Sequence, residues 1–276
     1  MTYSTLMVHI DLGTSNAALL HVTAQIAETF GAGVIGIAAY SPLLTVYSDG
    51  YDSGQLVEQD RTVMMEKIRE GEAQFHAALD GRVNAREWRA TSNCGAPAIA
   101  IAAAARAADL VIVTPKPQNP LFTPSRRVDI GDLVMQLGRP LLIVPAFISQ
   151  LRLDHAVVGW KDTRETRRAV WDALPLLRRA SQVSIIEIAD ADFVSVARSN
   201  IGDVSHWLHG HGVDAACEAV PMARADEAAL EIIVGQKRAD ILIAGAYGHS
   251  RMQEWIFGGM TRDLLWHPPC CALLSH

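Results

Sequence analysis

Two tandem copies of a five-stranded, parallel α/β domain are what this sequence predicts, on three observations. The chain repeats itself at a fixed offset, apolar strand-like runs alternate with helical periodicities in each copy, and a glycine-framed loop follows one of the buried runs.

The repeat comes first. Asp109-Leu110-Val111-Ile112-Val113 is answered by Asp240-Ile241-Leu242-Ile243-Ala244, an offset of 131 residues from Asp109 to Asp240. The same offset carries Asp132-Leu133 onto Asp263-Leu264 and the run Leu141 to Val144 onto Ala272 to Ser275, without a gap. The starts of the copies also correspond, at a different offset. Val8-His9-Ile10-Asp11 matches Val158-Gly159-Trp160-Lys161, each followed by a helical pattern.

Each copy reads strand, helix, strand, helix, strand, helix, strand, loop, helix, strand. In the second, Ala156 to Trp160 is a short apolar strand. A helix follows Asp162-Thr163, with Thr163 as N-cap and Ala169, Val170, Ala173, Leu174 and Leu177 on one face. Val183 to Ile188 is a β-branched strand. A helix around Phe193 to His209 precedes a strand near Val213 to Cys217. Glu227 to Lys237 is helical, and Ile241 to Ala244 is a fully buried strand. Continuous apolar strands between helices indicate a parallel sheet covered on both faces. Two sheets of about five strands fit the length. The boundary falls near Pro145 to Leu153, giving domains of 1–148 and 149–276. The first copy is longer because of a Ser-, Gly- and Asp-rich loop and a long helix between Tyr40 and Arg82.

Composition narrows the function. Of 276 residues, half are apolar and a fifth charged, a globular balance. The net charge is -6 with both signs interleaved, so there is no basic stripe for nucleic acid. No apolar run is long and uncharged enough for a membrane span, since Ala96 to Val113 carries Arg106 and Asp109. The amino terminus lacks a basic segment before its apolar run, which Asp11 interrupts, so no signal peptide is read. Cys94, Cys217, Cys270 and Cys271 have no disulfide or zinc spacing. A cytoplasmic protein is expected.

The chemistry is concentrated in Gly245-Ala246-Tyr247-Gly248-His249-Ser250-Arg251-Met252-Gln253-Glu254-Trp255-Ile256-Phe257-Gly258-Gly259-Met260-Thr261. The segment leaves a buried parallel strand and leads into a helix, where ligands bind in open α/β sheets. Glycines let backbone N–H groups approach an anion. A helix beginning at Gly258-Gly259 adds free N–H groups and the positive end of its dipole, and the Thr261 hydroxyl can donate as well. No Gly-Lys-Ser/Thr follows, so this is a main-chain phosphate cradle of another kind than the Walker A loop. Glycines serving only tight turns are the plainer reading. The strand before, the helix after and the topological position together favour the anion site.

These residues resemble the ATP-binding motif of the universal stress protein family: Gly-x-x-Gly, nine residues, then Gly-Ser/Thr. Gly245, Gly248 and Gly258 match its spacing, and Gly-Ala-Tyr-Gly-His-Ser-Arg with Phe-Gly-Gly-Met-Thr-Arg is similar to tandem bacterial members. The resemblance spans both copies. It implies an adenine nucleotide alpha hydrolase-like (Rossmann-like) fold with strand order 3-2-1-4-5, and paired domains that make the chain an internal dimer or a homodimer. It also implies a stress-response role; some members bind ATP and others do not, and the ligand expected here is ATP or a related adenine nucleotide, with Mg²⁺ as its companion ion. On this basis Trp160, Lys161, Gly245, Tyr247, Gly248, His249, Gly258, Gly259, Met260 and Thr261 form the expected nucleotide site.

Two departures stand out. Gly259 occupies the place of a Ser or Thr, which Thr261 can partly replace. Lys161 stands where nucleotide binders have an Asp near the adenosine, and an ammonium cannot accept a hydrogen bond. Lys161 can instead meet a phosphate, and Trp160 can either stack on a base or pack in the core. In the first copy Gly245, Gly248 and Gly258 become Thr114, Pro117 and Arg127. Prolines 115, 117, 120 and 124 remove N–H donors, so that copy is read as having lost nucleotide binding although Asp11 remains.

Other candidates carry less. His206, His209 and His211 lack a partner carboxylate or cysteine at matching spacing, and histidines in a last helical turn already complement the dipole. Cys270 and Cys271 point to opposite faces of a strand. His249 and Ser250 have no third member for a triad. No metal site and no catalytic residue are assigned, and ATP turnover, if present, is expected to be slow. The leading expectation is a stress-response protein acting through conformation or partners. Its rivals are an interaction protein of the same fold that binds no nucleotide or another small ligand, and an adenylating or nucleotide-alpha-hydrolase-like enzyme.

Overall fold

The computed structural model describes residues 2–42, 53–92, 96–115, 128–221, 229–246 and 268–276. In the first half, β1 (Thr5–His9), α1 (Ala17–Phe30), β2 (Gly33–Tyr40), α2 (Ser53–Leu79), β3 (Arg86–Ser92), α3 (Pro97–Ala104), β4 (Leu110–Val113), α4 (Ile130–Leu137) and β5 (Leu141–Ile143) follow one another. The second half supplies β6 (His155–Trp160), α5 (Arg164–Leu177), β7 (Gln182–Ala189), α6 (Val194–Gly210), β8 (Ala216–Pro221), α7 (Ala229–Gln236), β9 (Ile241–Gly245) and β10 (Cys271–Ser275).

All ten strands form one sheet, ordered β3-β2-β1-β4-β5-β10-β9-β6-β7-β8. Each half therefore has its own first strand at the centre and the order 3-2-1-4-5. The two five-stranded halves, expected from the repeat, join edge to edge into this one sheet. The edge strands β5 and β10 pair antiparallel, with Leu142 opposite Leu273 and Ile143 opposite Ala272, whereas every other pairing is parallel. The physical reason is the apolar character of both edges. All three residues of β5 and all five of β10 are buried, and an unpaired apolar edge would leave its backbone groups and side chains exposed. The outer edges are blunted instead. On β3, Arg86 pairs with Asp80 and Arg89 with Glu87, while Pro221 ends β8.

Helix ends follow local chemistry. Thr163 caps α5, its hydroxyl accepting from the Thr166 N–H at 3.3 Å. Ala169, Val170, Ala173, Leu174 and Leu177 are buried as their spacing predicts. α6 closes with a Schellman motif: Gly212, at φ 78°, donates to His209 O at 2.9 Å, and Val213 donates to Leu208 O at 3.0 Å. The strand expected near Val213 therefore starts later, at Ala216, because Val213 belongs to the helix stop and packs in the core.

The core has two sides. One buried cluster runs under α1, α2, α5 and α6 and continues across the seam through Leu142, Val144, Cys271 and Leu273. The opposite face packs on α3, α4 and α7 in two smaller clusters. Cys270 lies on that face and Cys271 on the other, so they sit on opposite faces of the strand as expected. Burial pushes both thiols up to about 12.

Candidate functional site

The order 3-2-1-4-5 puts the crevice of the second half at the carboxyl ends of β6 and β9, which pair in register from Ala156↔Ile241 to Gly159↔Ala244. From β6 the chain runs away toward β7, and from β9 it runs toward β10 on the other side. The loops that leave β6 and β9 thus flank one cleft. The first brings Lys161, Asp162 and the start of α5; the second brings Gly245 and Ala246. Tyr247, Gly248, His249, Gly258, Gly259, Met260 and Thr261 lie outside the described residues.

Gly245 has a packing role in this arrangement. A Cβ there would stand 2.5 Å from the Thr166 backbone nitrogen and 2.8 Å from the Glu165 carbonyl carbon. Only glycine lets the end of β9 lie against the first turn of α5. Beyond it, the Ala246 N–H donates to Ser275 O at 2.9 Å and the His276 ring bonds Ala246 O at 3.0 Å, fixing the loop's starting direction.

The amino terminus of α5 is already supplied with acids. Glu165 is 1% exposed and bonds the Arg164 guanidinium. Burial pushes its carboxyl up, and the hydrogen bonds from Arg164, its own backbone N–H and Thr163 outweigh this, leaving it below the usual range. Asp162 accepts from Arg167 at 2.6 Å. Both acids, each paired with an arginine, thus stand at the positive end of the α5 dipole.

Trp160 packs in the hydrophobic core at 7% exposure, which favours packing over base stacking. Partial desolvation lowers the pKa of Lys161, and the neighbouring Glu187 opposes this. Glu187, on β7, is directly opposite Trp160 in the ladder. Its carboxyl is pushed up to about 7, chiefly by burial and then by Asp162, with Lys161 acting against them. Sequence reasoning passed over Glu187. A charged residue inside a mostly apolar strand, Val183 to Ile188, was the available signal.

In the first half the matching corner is filled. Asn16 is buried and ties the loop after β1 together through Asp11, Thr14 and Gln74 of α2, with distances of 3.0 to 3.2 Å. α2 comes close over it: a Cβ on Gly71 would stand 3.1 Å from Ile10 and 3.5 Å from Leu12. The long helix of the first half thus lies over its own β1 corner.

At the end of α6, His209 and His211 are engaged otherwise. His209 bonds Asp214 at 2.7 Å, and His211 packs on Trp207 at 4.3 Å and on Trp171 at 5.8 Å. Among the described residues, no group of three or more His, Cys, Asp or Glu is placed to hold a metal, and no helix is long and apolar enough to cross a membrane.

No protein-family model matches this chain, and no curated protein matches it in sequence. Its architecture does have solved counterparts. A universal stress protein from Archaeoglobus fulgidus superposes with a TM-score of 0.70 over 98% of this chain and 97% of its own, at 12% identity. The fold is that of a universal stress protein. A functionally unknown protein from Pseudomonas aeruginosa aligns at a TM-score of 0.60, covering 99% of this chain and 92% of its own at 12% identity. A putative universal stress protein from the same species gives 0.55 with the same coverage and identity. These matches span both halves, so the universal stress protein fold extends over the whole ten-stranded assembly.

Proposed function

We propose that the chain is a tandem universal stress protein that binds ATP or a related adenine nucleotide in its second half, 149–276, and acts through conformation or partner binding. The observation that carries the reading is the place where the glycine frame begins. Gly245 ends β9 beside β6, at the switch point of the second half, and opens the Gly-x-x-Gly-x9-Gly spacing completed by Gly248 and Gly258. The first half, 1–148, serves as a structural or regulatory copy, since its corner is occupied by Asn16 and α2 and its loop carries prolines in place of glycines.

In this reading Gly248, Gly258, Gly259, Met260 and Thr261 offer main-chain and hydroxyl donors to the phosphates, with Mg²⁺ as counter-ion, while Tyr247 and His249 line the loop. Lys161 adds a positive charge at the rim. Any ATP turnover is slow in this reading, because the loop sequence offers no second catalytic constellation. The free thiols of Cys217, Cys270 and Cys271 agree with a reducing cytoplasm.

A second reading, an interaction protein of the same fold that binds no nucleotide, is favoured by Lys161, by Gly259 and by the packing role of Gly245. Gly248→Val separates the two. A branched side chain there blocks backbone approach to a phosphate, so ATP binding is expected to disappear while circular dichroism shows the fold retained. Unchanged ATP affinity in the folded variant removes the loop from the site.

A further inference from the structure

The two halves differ in how the start of the loop after the fourth strand is held. In the second half the Ala246 N–H donates to Ser275 O at 2.9 Å, and the His276 ring donates to Ala246 O at 3.0 Å. At the offset of 131 that relates β9 and β10 to β4 and β5, these residues become Pro115, Val144 and Pro145. Proline has no N–H to donate, and neither valine nor proline carries a polar side chain, so the first half cannot form the same clamp. The clamp belongs to the half that keeps the glycine frame.

The clamp is tied onward through α5. Ser275 is buried, and its hydroxyl donates to Asp172 Oδ2 at 2.9 Å. The Arg168 Nε donates to the same carboxylate at 2.9 and 3.1 Å. A residue of the first half completes the chain: the Tyr3 hydroxyl donates to Asp172 O at 2.7 Å. Tyr3 is itself fixed, its ring edge-on to Phe30 at 5.2 Å and the N–H groups of Ser4 and Thr5 held by Asp109. Burial first, then Asp172 and Asp109, push the Tyr3 hydroxyl above its ordinary range, so it remains a donor.

The equivalent residues of the first half are apolar. Buried Leu19, Leu20, Ala24 and Ile26 of α1 correspond to Ala169, Val170, Leu174 and Leu176 of α5. That alignment, which also matches Val8 with Val158, puts Val22 in the place of Asp172 and Leu153 in the place of Tyr3. Val22 and Val144 belong to the apolar cluster under these helices, and Leu153 packs against it. The fold is thus satisfied by apolar residues at these positions, whereas a satisfied polar chain specifies one geometry. We propose that Tyr3, Asp172 and Ser275 are positioning residues for the loop after β9. They hold the Ala246 peptide, from which the glycine frame departs, in one direction, so that the loop is preorganised for the phosphates. This rests on the nucleotide reading of the second half, and it gives the first half a part in that site.

The test uses the full chain with Tyr3→Phe, Ser275→Ala and the triple variant Tyr3→Leu, Asp172→Val and Ser275→Val, which installs the first half's residues. ATP dissociation constants are measured by titration calorimetry and ligand-free melting temperatures by circular dichroism. Hydrogen exchange of the Ala246 and Ile243 amides is followed by nuclear magnetic resonance in the ligand-free protein. The single variants are expected to weaken ATP by about threefold or more and the triple variant by about tenfold or more. The triple variant is expected to melt at the wild-type temperature or higher, because apolar replacement of a buried ionic cluster is often neutral or stabilising. Its Ala246 amide is expected to exchange about tenfold faster, with Ile243 unchanged. ATP affinity within twofold of wild type, in the triple variant or in Tyr3→Phe, overturns the assignment. So does weaker binding accompanied by a lower melting temperature, since that identifies a structural cluster. Wild-type protein that binds no ATP overturns the nucleotide reading; the positioning of the loop is then decided by Ala246, and equal exchange in wild type and triple variant overturns it.

Discussion

Asp109 and Asp240 do the same work in the two halves. Asp109 Oδ2 accepts from the N–H groups of Ser4 and Thr5 at 2.8 and 3.0 Å, and Asp240 Oδ2 accepts from those of Asp154 and His155 at 2.9 and 3.0 Å. Each aspartate also donates its own N–H to the first residue of the central strand, Thr5 O at 2.8 Å and His155 O at 2.9 Å. The repeat visible at an offset of 131 is therefore a repeat of function: an acid before the fourth strand of each half fixes the start of the first. Asp109→Ala and Asp240→Ala should each lower stability by about 1–2 kcal/mol, the cost of two charge-assisted bonds at a partly exposed site. Urea denaturation checks this, and a loss in only one half would break the equivalence.

The seam between halves gives a second prediction. Leu142 and Leu273 are fully buried, face each other across the antiparallel ladder and belong to the continuous core. Leu142→Ala or Leu273→Ala should cost about 2–5 kcal/mol, and the two effects should not add, because the side chains are in one cluster. A fragment ending near Pro145 should dimerise or aggregate through its exposed β5. If it is monomeric, soluble and stable by sedimentation, the seam is dispensable.

Gly245 allows a third. With a Cβ position 2.5 Å from the Thr166 nitrogen, Gly245→Ala must push α5 from the sheet. Backbone offers less give than a side chain, so destabilisation of about 1–3 kcal/mol is expected, along with loss of ATP binding. A melting temperature equal to wild type would show that the helix tolerates the displacement.

Glu187 makes stability depend on pH. Its carboxyl titrates at about 7 in the folded protein, above the ordinary value of 4.5. Between those values the folded state holds the proton that the unfolded state has released. Stability therefore falls as pH rises from about 4.5 to about 7 and is level with respect to this group outside that window. Lys161 opposes the shift and Asp162 adds to it. Glu187→Gln should flatten this component when melting temperatures at pH 5 and pH 8 are compared; an identical slope in the variant would show that other groups set it.

Much of this was legible beforehand, for identifiable reasons. Thr163 and the spacing from Ala169 to Leu177 define α5, because capping and amphipathic period are local properties. The strands Leu110–Val113 and Ile241–Gly245 are apolar runs buried on both faces. Val213 misled because an apolar residue after Gly212 suits a Schellman stop as well as a strand. At the site, Gly245 showed itself as a glycine needing room, but the neighbour demanding that room, the first turn of α5, is a tertiary fact. Trp160 left packing and stacking open until its burial was known. Glu187 became meaningful only through its register partner Trp160 and its partial burial.

The most direct test of the central claim is calorimetric titration of the intact chain with ATP. The account predicts about one site per chain, located in the second half and lost in Gly248→Val. Two equivalent sites per chain, or no binding at all by a folded wild-type protein, would contradict it.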